Sequence, residues 1–209
     1  GTQSLNRKHR SLCVSRGGKP HQHATLPGNV SPCMGDANHN GRLRFVLTTV
    51  EGVLPLSLLD AYACWELNRR CFPERETYDL TTFRTLLDSP DSVSYKAVDA
   101  QRRLVGFLLG LVDRDASVGR GRGQLLGSGH IIAVGVAPEA RRQGHARRLL
   151  EAAERGFRRR GITVVHLEVH ATNVAARQLY TTAGYHVTQR LVRYYVDGDD
   201  ALKMVKALE

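Results

Sequence analysis

The sequence has little to tie it to a membrane or a secretory route. Its longest apolar run, Leu104 to Val112, is far too short to span a bilayer. Cysteine is scarce: the four, Cys13, Cys33, Cys64 and Cys71, show no C-x-x-C spacing. With no secretory signal beside them, they argue against a disulfide scaffold and for a reducing, cytoplasmic setting. A zinc site from Cys13, Cys33 and nearby histidines lacks the usual paired spacing, so no metal is expected. Acids are outnumbered, 20 against 30 Lys and Arg, leaving a net charge of +10. That balance points to polyanionic ligands or to nucleic-acid and ribosome surfaces. The glycine-rich stretch DRDASVGRGRGQLLGSG has no Gly-Lys-Ser/Thr and misses the dinucleotide fingerprint, so it reads as a hairpin loop. DGDD at 197–200 lacks the acid spacing of a calcium loop, and VTQRLVRYYVDGDDALKMVKAL reads instead as two strands joined by a turn at Asp197-Gly198.

What remains is enough for one good core: 209 residues, 42% hydrophobic, with no internal repeat. Residues 1–40 carry Arg7, Lys8, Arg10, Arg16 and Lys19 against the single acid Asp36, without periodicity. They read as a basic, low-structure arm, open to RNA or ribosome contact, to a transit-like role because it is acid-poor and contains Arg and Ser, or to no role at all. Residues 41–209 read as the folded domain. Leu43 to Val50 suits a first strand. Ser57 with Asp60 makes a capping-box start for a helix whose apolar face is Leu58, Leu59, Tyr62 and Trp65 and which ends by Pro73. After the loop FPERETY, a second helix runs from Thr81 to Leu87. Ser92–Val98 and Leu104–Val112 form a hairpin around Asp99-Ala100-Gln101.

The stretch His130 to Tyr185 carries the chemistry. HIIAVGVA is a β-branched run suited to a strand buried on both faces. The turn Arg141-Arg142-Gln143-Gly144-His145-Ala146 opens directly into a helix, where converging N–H groups and the helix dipole suit a phosphate. Ala146, Leu149, Leu150, Ala153 and Phe157 give that helix one apolar face. The strand Thr163 to His170 alternates, with Thr163, Val165, Leu167 and Val169 towards the core and His166, Glu168 and His170 on the other face. Asn173 caps a short helix closed by Gly184.

The order strand, R-x-x-G-x-A, helix, followed by N-x-x-A-x-x-x-Y-x-x-x-G-Y (Asn173, Ala176, Tyr180, Gly184, Tyr185), resembles the core of the GNAT acetyltransferases. The ending RYYVDGDDALKM is similar to that of protein Nα-acetyltransferases, including the ribosomal-protein alanine enzymes. The resemblance covers about residues 43–208. It implies a mixed, largely antiparallel α/β sheet flanked by helices and splayed between the HIIAVGV and VVHLEVH strands, with acetyl-CoA in the cleft. Cofactor contacts implied are Val134, Gly135 and Val136 along the strand, where Gly135 eases approach of the pantetheine arm. The turn Arg141, Arg142, Gln143, Gly144, His145, Ala146 and Arg147 would take the diphosphate, with Asn173 and Tyr180 completing the set. The resemblance assigns Glu168 as base and Tyr180 as acid, with His130 a second candidate base. It places Phe72, Glu74, Tyr194 and Tyr195 around the peptide. FPERETY is longer before Tyr78 than the short form in many relatives, and Ala146 stands for the second motif glycine.

The acceptor follows from acidity. An α-amino group titrates near 7.7–8.0 against about 10.4 for lysine, so roughly a tenth is neutral at pH 7 and a modest base suffices. Acetylation of a peptide or protein N-terminus is therefore the expected activity, by a monomer or dimer with no membrane contact. The alternatives are a lysine or small-molecule amine as acceptor, or a non-catalytic CoA- or ribosome-binding module.

Overall fold

A computed structural model describes residues 52–114 and 127–209. The expected strand at 43–50, the basic arm with Cys13 and Cys33, and most of the glycine-rich loop lie outside the described residues.

The elements in order are β1 (Gly52–Pro55), α1 (Ala61–Cys71), α2 (Leu80–Asp88), β2 (Tyr95–Val98), β3 (Leu104–Asp113), β4 (Ser128–Val136), α3 (His145–Arg159), β5 (Val164–His170), α4 (Val174–Thr182), β6 (His186–Leu191) and β7 (Ala201–Ala207). The strands form one seven-stranded sheet in the order β1-β2-β3-β4-β5-β7-β6. Every pairing is antiparallel except β4 with β5. A bulge shifts the β3–β4 register, with Leu109 opposite Ala133 and Gly110 opposite Ile131.

Alternation along β3 sorts its neighbours onto two faces. Phe107 meets Phe83 of α2 edge to face at 5.7 Å. On the other face, Cβ atoms built at Gly106 and Gly110 would touch Leu149 and Phe157 of α3. Both faces of β3 and β4 are thus covered, as their unbroken apolar runs require. Among the described residues no helix is long and apolar enough to cross a membrane.

Two expectations need correction. The Ser57–Asp60 box is present, with Ser57 N–H and Oγ both 3.0 Å from Asp60 Oδ2. It caps a 3-10 turn at Leu58–Asp60, however, and α1 then buries Ala61, Cys64, Leu67, Asn68 and Cys71. Leu59 is 95% exposed and Leu58 and Tyr62 are about half so. Small side chains let α1 approach the sheet, whereas Tyr62 and Trp65 pack on one another at 5.5 Å with Arg69 over the indole. In addition, β6 and β7 are joined by a compact loop over 192–200 rather than a tight turn. Gly198 at φ 86° and an Arg193 N–H donated to Asp200 shape it, so Tyr194 and Tyr195 lie outside the strands.

Candidate active site

The parallel ladder between β4 and β5 is short. It pairs Gly129 with Val165, His130 with His166 and Ile131 with Leu167, then stops. Beyond Ile131 the two strands part, so among the described residues the β5-facing edge of Ala133–Val136 has no strand beside it. The register sets the chemistry at the joint. His130 and His166 are direct neighbours on one face, and their rings stack at 4.4 Å and 12°. Glu168, two residues on from His166, lies diagonally opposite His130. His130 Nε2 donates to Glu168 Oε2 at 2.8 Å. The two candidate bases are one hydrogen-bonded pair.

The face of β5 opposite its apolar residues is itself buried, contrary to a simple core-and-surface alternation: His166, Glu168 and His170 are all under 10% exposed. Burial pushes the Glu168 carboxyl up, but the hydrogen bond and charge of His130, with His166 and Lys203, outweigh it and hold the group below the usual glutamate range. Burial first, then the charge of His130, pulls His166 down to about 3, so its ring is neutral and lies beside Ser128 Oγ at 3.3 Å. The parallel histidine planes, with one nitrogen already given to Glu168, suit proton handling.

Tyr180 is buried on α4 with its ring edge to face with Tyr185 at 6.0 Å. Asn173 Oδ1 accepts the Ala176 N–H, and the helix closes through Gly184 at φ 91° with the Tyr185 N–H donated to the Tyr180 carbonyl. Asn173 is thus a cap in its own right.

Ahead of α3, Arg142 and Gly144 both take positive φ, 65° and 79°, which folds the turn back onto the helix N-terminus. The space a Gly144 side chain would fill is open. This turn fits the diphosphate expected there: the first helical N–H groups lack intrahelical partners and carry the positive end of the dipole. The side chains divide. Arg141 Nε donates to the Val136 carbonyl, Gln143 to the Glu139 carbonyl, and Arg147 pairs with Glu151. His145 is buried, 3.1 Å from Arg148. Ala146 packs against the core. Gly135 has a reason other than cofactor approach: a Cβ there would sit 2.6 Å from the Phe107 ring.

On the acceptor side, Phe72 is buried in the core and Glu74 is exposed in a 3-10 turn. Its neighbour Glu76 faces inward instead, 3.7 Å from His170. Tyr78 is buried and close enough to Tyr194 and Glu168 that, after desolvation, their charges help push its phenol up. Tyr194 and Tyr195 meet edge to face at 5.2 Å, and Tyr195 stacks on His170. Sequence reading missed Glu76 and His170 and left Tyr78 aside. The alternation that put His170 beside Glu168 on β5 was the available signal for one of them.

Comparison with known proteins agrees with this geometry. The profile of the acetyltransferase (GNAT) family matches residues 61–185. The chain is 35% identical over 134 residues to N-alpha-acetyltransferase 20 of Dictyostelium discoideum, covering 64% of this chain and 73% of that protein. Among solved structures, a NatB acetyltransferase complex bound to a bisubstrate inhibitor contains a chain 26% identical, with a TM-score of 0.60 and coverage of 75% and 90%. The ribosomal-protein-S18-alanine N-acetyltransferase from Escherichia coli shares the fold at 23% identity and a TM-score of 0.64, over 77% of this chain and 95% of that one.

Proposed function

The chain belongs to the acetyltransferase (GNAT) family, and on that premise we propose that it transfers the acetyl group of acetyl-CoA to the α-amino group of a protein N-terminus. The observation that carries the reading is the joint itself: two parallel strands that part after Ile131, with the His130–Glu168 pair at the fork. Acetyl-CoA supplies an acetyl group activated as a thioester. The residues that would hold it are the turn Arg142 to Ala146, with the charges of Arg141 and Arg147, and the β4 edge at Val134–Val136.

Glu168, ionised across the neutral range, accepts the proton that the α-ammonium must lose, directly or through a water. His130 shares that proton through its 2.8 Å bond and keeps the carboxylate aimed at the fork. Backbone N–H groups of the parted β4 edge stabilise charge on the carbonyl oxygen. Tyr180 gives its phenolic proton to the departing sulfur. Glu76, Tyr78, Tyr194 and Tyr195 wall the acceptor groove. An α-amine, already partly neutral near pH 7, suits even a carboxylate held below its usual range.

The test is release of CoA thiol against short peptides differing at their first two residues, with Nα-blocked and lysine-containing controls. Turnover that disappears on blocking the α-amine, with a first-residue preference, is the expected result. Turnover confined to lysine side chains or free amines would overturn the acceptor assignment.

A further inference from the structure

The transfer assigned above uses Glu168 and His130 and leaves His166, beside them, without a task. Burying an imidazole costs solvation unless its nitrogens are used, and here the hydroxyl of Ser128 stands 3.3 Å from Nδ1. His166 is the register partner of His130 across the β4–β5 ladder, and the two rings stack at 4.4 Å and 12°. Glu168 follows two residues on, on the same face of β5, with Oε2 2.8 Å from His130 Nε2. One ring nitrogen from each histidine and one carboxylate oxygen lie within 4.8 Å of one another. Two imidazoles and a carboxylate are donors that suit zinc and its neighbours among the transition ions, rather than magnesium or calcium. A ligating histidine must be neutral, and burial already holds His166 so. The charge against such an ion is Lys203, opposite Glu168 on β7 and felt by both Glu168 and His166.

We propose that His130, His166 and Glu168 form a three-ligand site for a divalent transition ion of the zinc class, whose occupation stops acetyl transfer by capturing the base. The inhibition rests on the base assigned above; the ligand set does not. Ligand atoms around a tetrahedral zinc stand about 3.3 Å apart, given bonds of about 2.0–2.1 Å. The His130–Glu168 edge is already inside that span, and the His166 edge closes by turning the stacked rings about their Cβ–Cγ bonds, with both strands in place. The proton that His130 Nε2 now gives to Glu168 must leave that nitrogen, so His130 ligates as the Nδ1–H tautomer. Ser128 Oγ, beside Nδ1 of His166, is the outer partner that orients the second ring. With its oxygen on the metal, Glu168 no longer accepts the proton of an α-ammonium. Three protein ligands leave zinc a fourth position, and Lys203 opposes its charge, so the ion is held as a reversible inhibitor and not as a resident cofactor.

The experiment is titration of the full chain with zinc chloride near neutral pH, in a buffer that sets free zinc. Binding is read by calorimetry in wild type, E168Q, H166Q and K203M, and wild-type turnover by the mass of acetylated peptide at saturating acetyl-CoA. The histidines and cysteines of residues 1–40 are common to all four chains and cancel in the comparison. E168Q and H166Q should each weaken zinc at least about tenfold, the loss that removal of even an outer partner brings. K203M, changed at a half-buried position, should bind zinc about threefold tighter even if a buried variant folds poorly. Wild-type turnover should fall with the binding midpoint, return on chelation, and ignore magnesium at the same concentration. X-ray absorption at the zinc edge, on wild type with one equivalent, should show two imidazoles and oxygen without sulfur. Wild-type zinc affinity in all three variants, or sulfur among the ligands, overturns the site. Zinc bound by these residues with turnover untouched overturns the inhibition and leaves the transfer reading standing. A wild type active on no peptide overturns the base reading and the inhibition with it, while calorimetry still reads the ligand set.

Discussion

Replacing Glu168 by Gln is the sharpest perturbation of the site. The amide keeps the side-chain volume, and its oxygen can go on accepting the hydrogen bond from His130 Nε2, 2.8 Å away. Folding should survive and only the carboxylate's proton affinity is lost. A positioned general base contributes typically 10²–10⁴-fold, which is about 2.7–5.5 kcal/mol of transition-state stabilisation. We expect kcat/KM for the acceptor peptide to fall within that range, with acetyl-CoA affinity by calorimetry within about twofold of wild type. The deficit should narrow above pH 9, where the α-amine is already neutral. Because His130 and Glu168 share one hydrogen bond, they should also behave as a unit: E168Q combined with H130A should cost about as much as the worse single change, not the product of the two. A loss under threefold for E168Q, or fully multiplicative losses in the double variant, would refute the paired-base reasoning.

Tyr180→Phe should lower turnover roughly a hundredfold while acetyl-CoA affinity and the thermal melt stay close to wild type, because the ring still packs on Tyr185; unchanged turnover would remove Tyr180 as the acid. Gly129→Ala would drive a methyl to within 2.8–2.9 Å of the Phe157 ring, which is fully buried, and should cost about 1–3 kcal/mol in urea or thermal melts. Lys96→Met probes an ion pair beside α1. Burial raises Asp60, but the hydrogen bonds of Lys96 and Ser57 and the Lys96 charge hold it below its ordinary 3.8. A depressed folded pKa contributes stability above the unfolded value and loses it as pH falls through the folded one. The wild-type advantage over K96M, under about 1 kcal/mol, should therefore be full at pH 7 and shrink towards pH 3. An advantage that grew on acidification would contradict that sign.

The part of the fold legible in sequence is the part written in local periods. β4 and β5 announced themselves by β-branched runs, α3 by its spacing from Ala146 to Phe157, and α4 by Asn173 and Gly184 at its ends. The face of α1 was misjudged because hydrophobicity ranks Leu58, Leu59 and Tyr62 above Ala61 and Cys64, whereas close packing on the sheet selects for size. The sequence reading named Glu74 alone in this loop, whereas Glu76 faces His170: one turn of 3-10 helix decides which of the two acids faces inward, and no local pattern records it. The Glu76–His170–Asp199 cluster joins positions far apart in the chain, so only the assembled sheet brings them within reach. His130 with Glu168 lay between these extremes. Each residue was recognisable alone, and their contact required the β4–β5 register.

That register is held by a feature that no motif contains. Phe157 fills the space left by Gly129, and its ring reaches within 3.1 Å of where a Gly110 side chain would begin, so α3 is pinned over the closed end of the fork. Twelve residues back along the helix, about 18 Å at 1.5 Å per residue, His145 opens its first turn. Near that end Leu149 lies over Gly106, which pairs with Val136, the last residue of the parted β4. One helix thus spans from the joint to the mouth. Its C-terminal half closes the strands where His130 must meet Glu168, and its N-terminus brings the positive end of the dipole to where the strands have separated. The anion site and the base pair are set by the same rigid element, so a shift of Phe157 should disturb acetyl-CoA binding and proton transfer together.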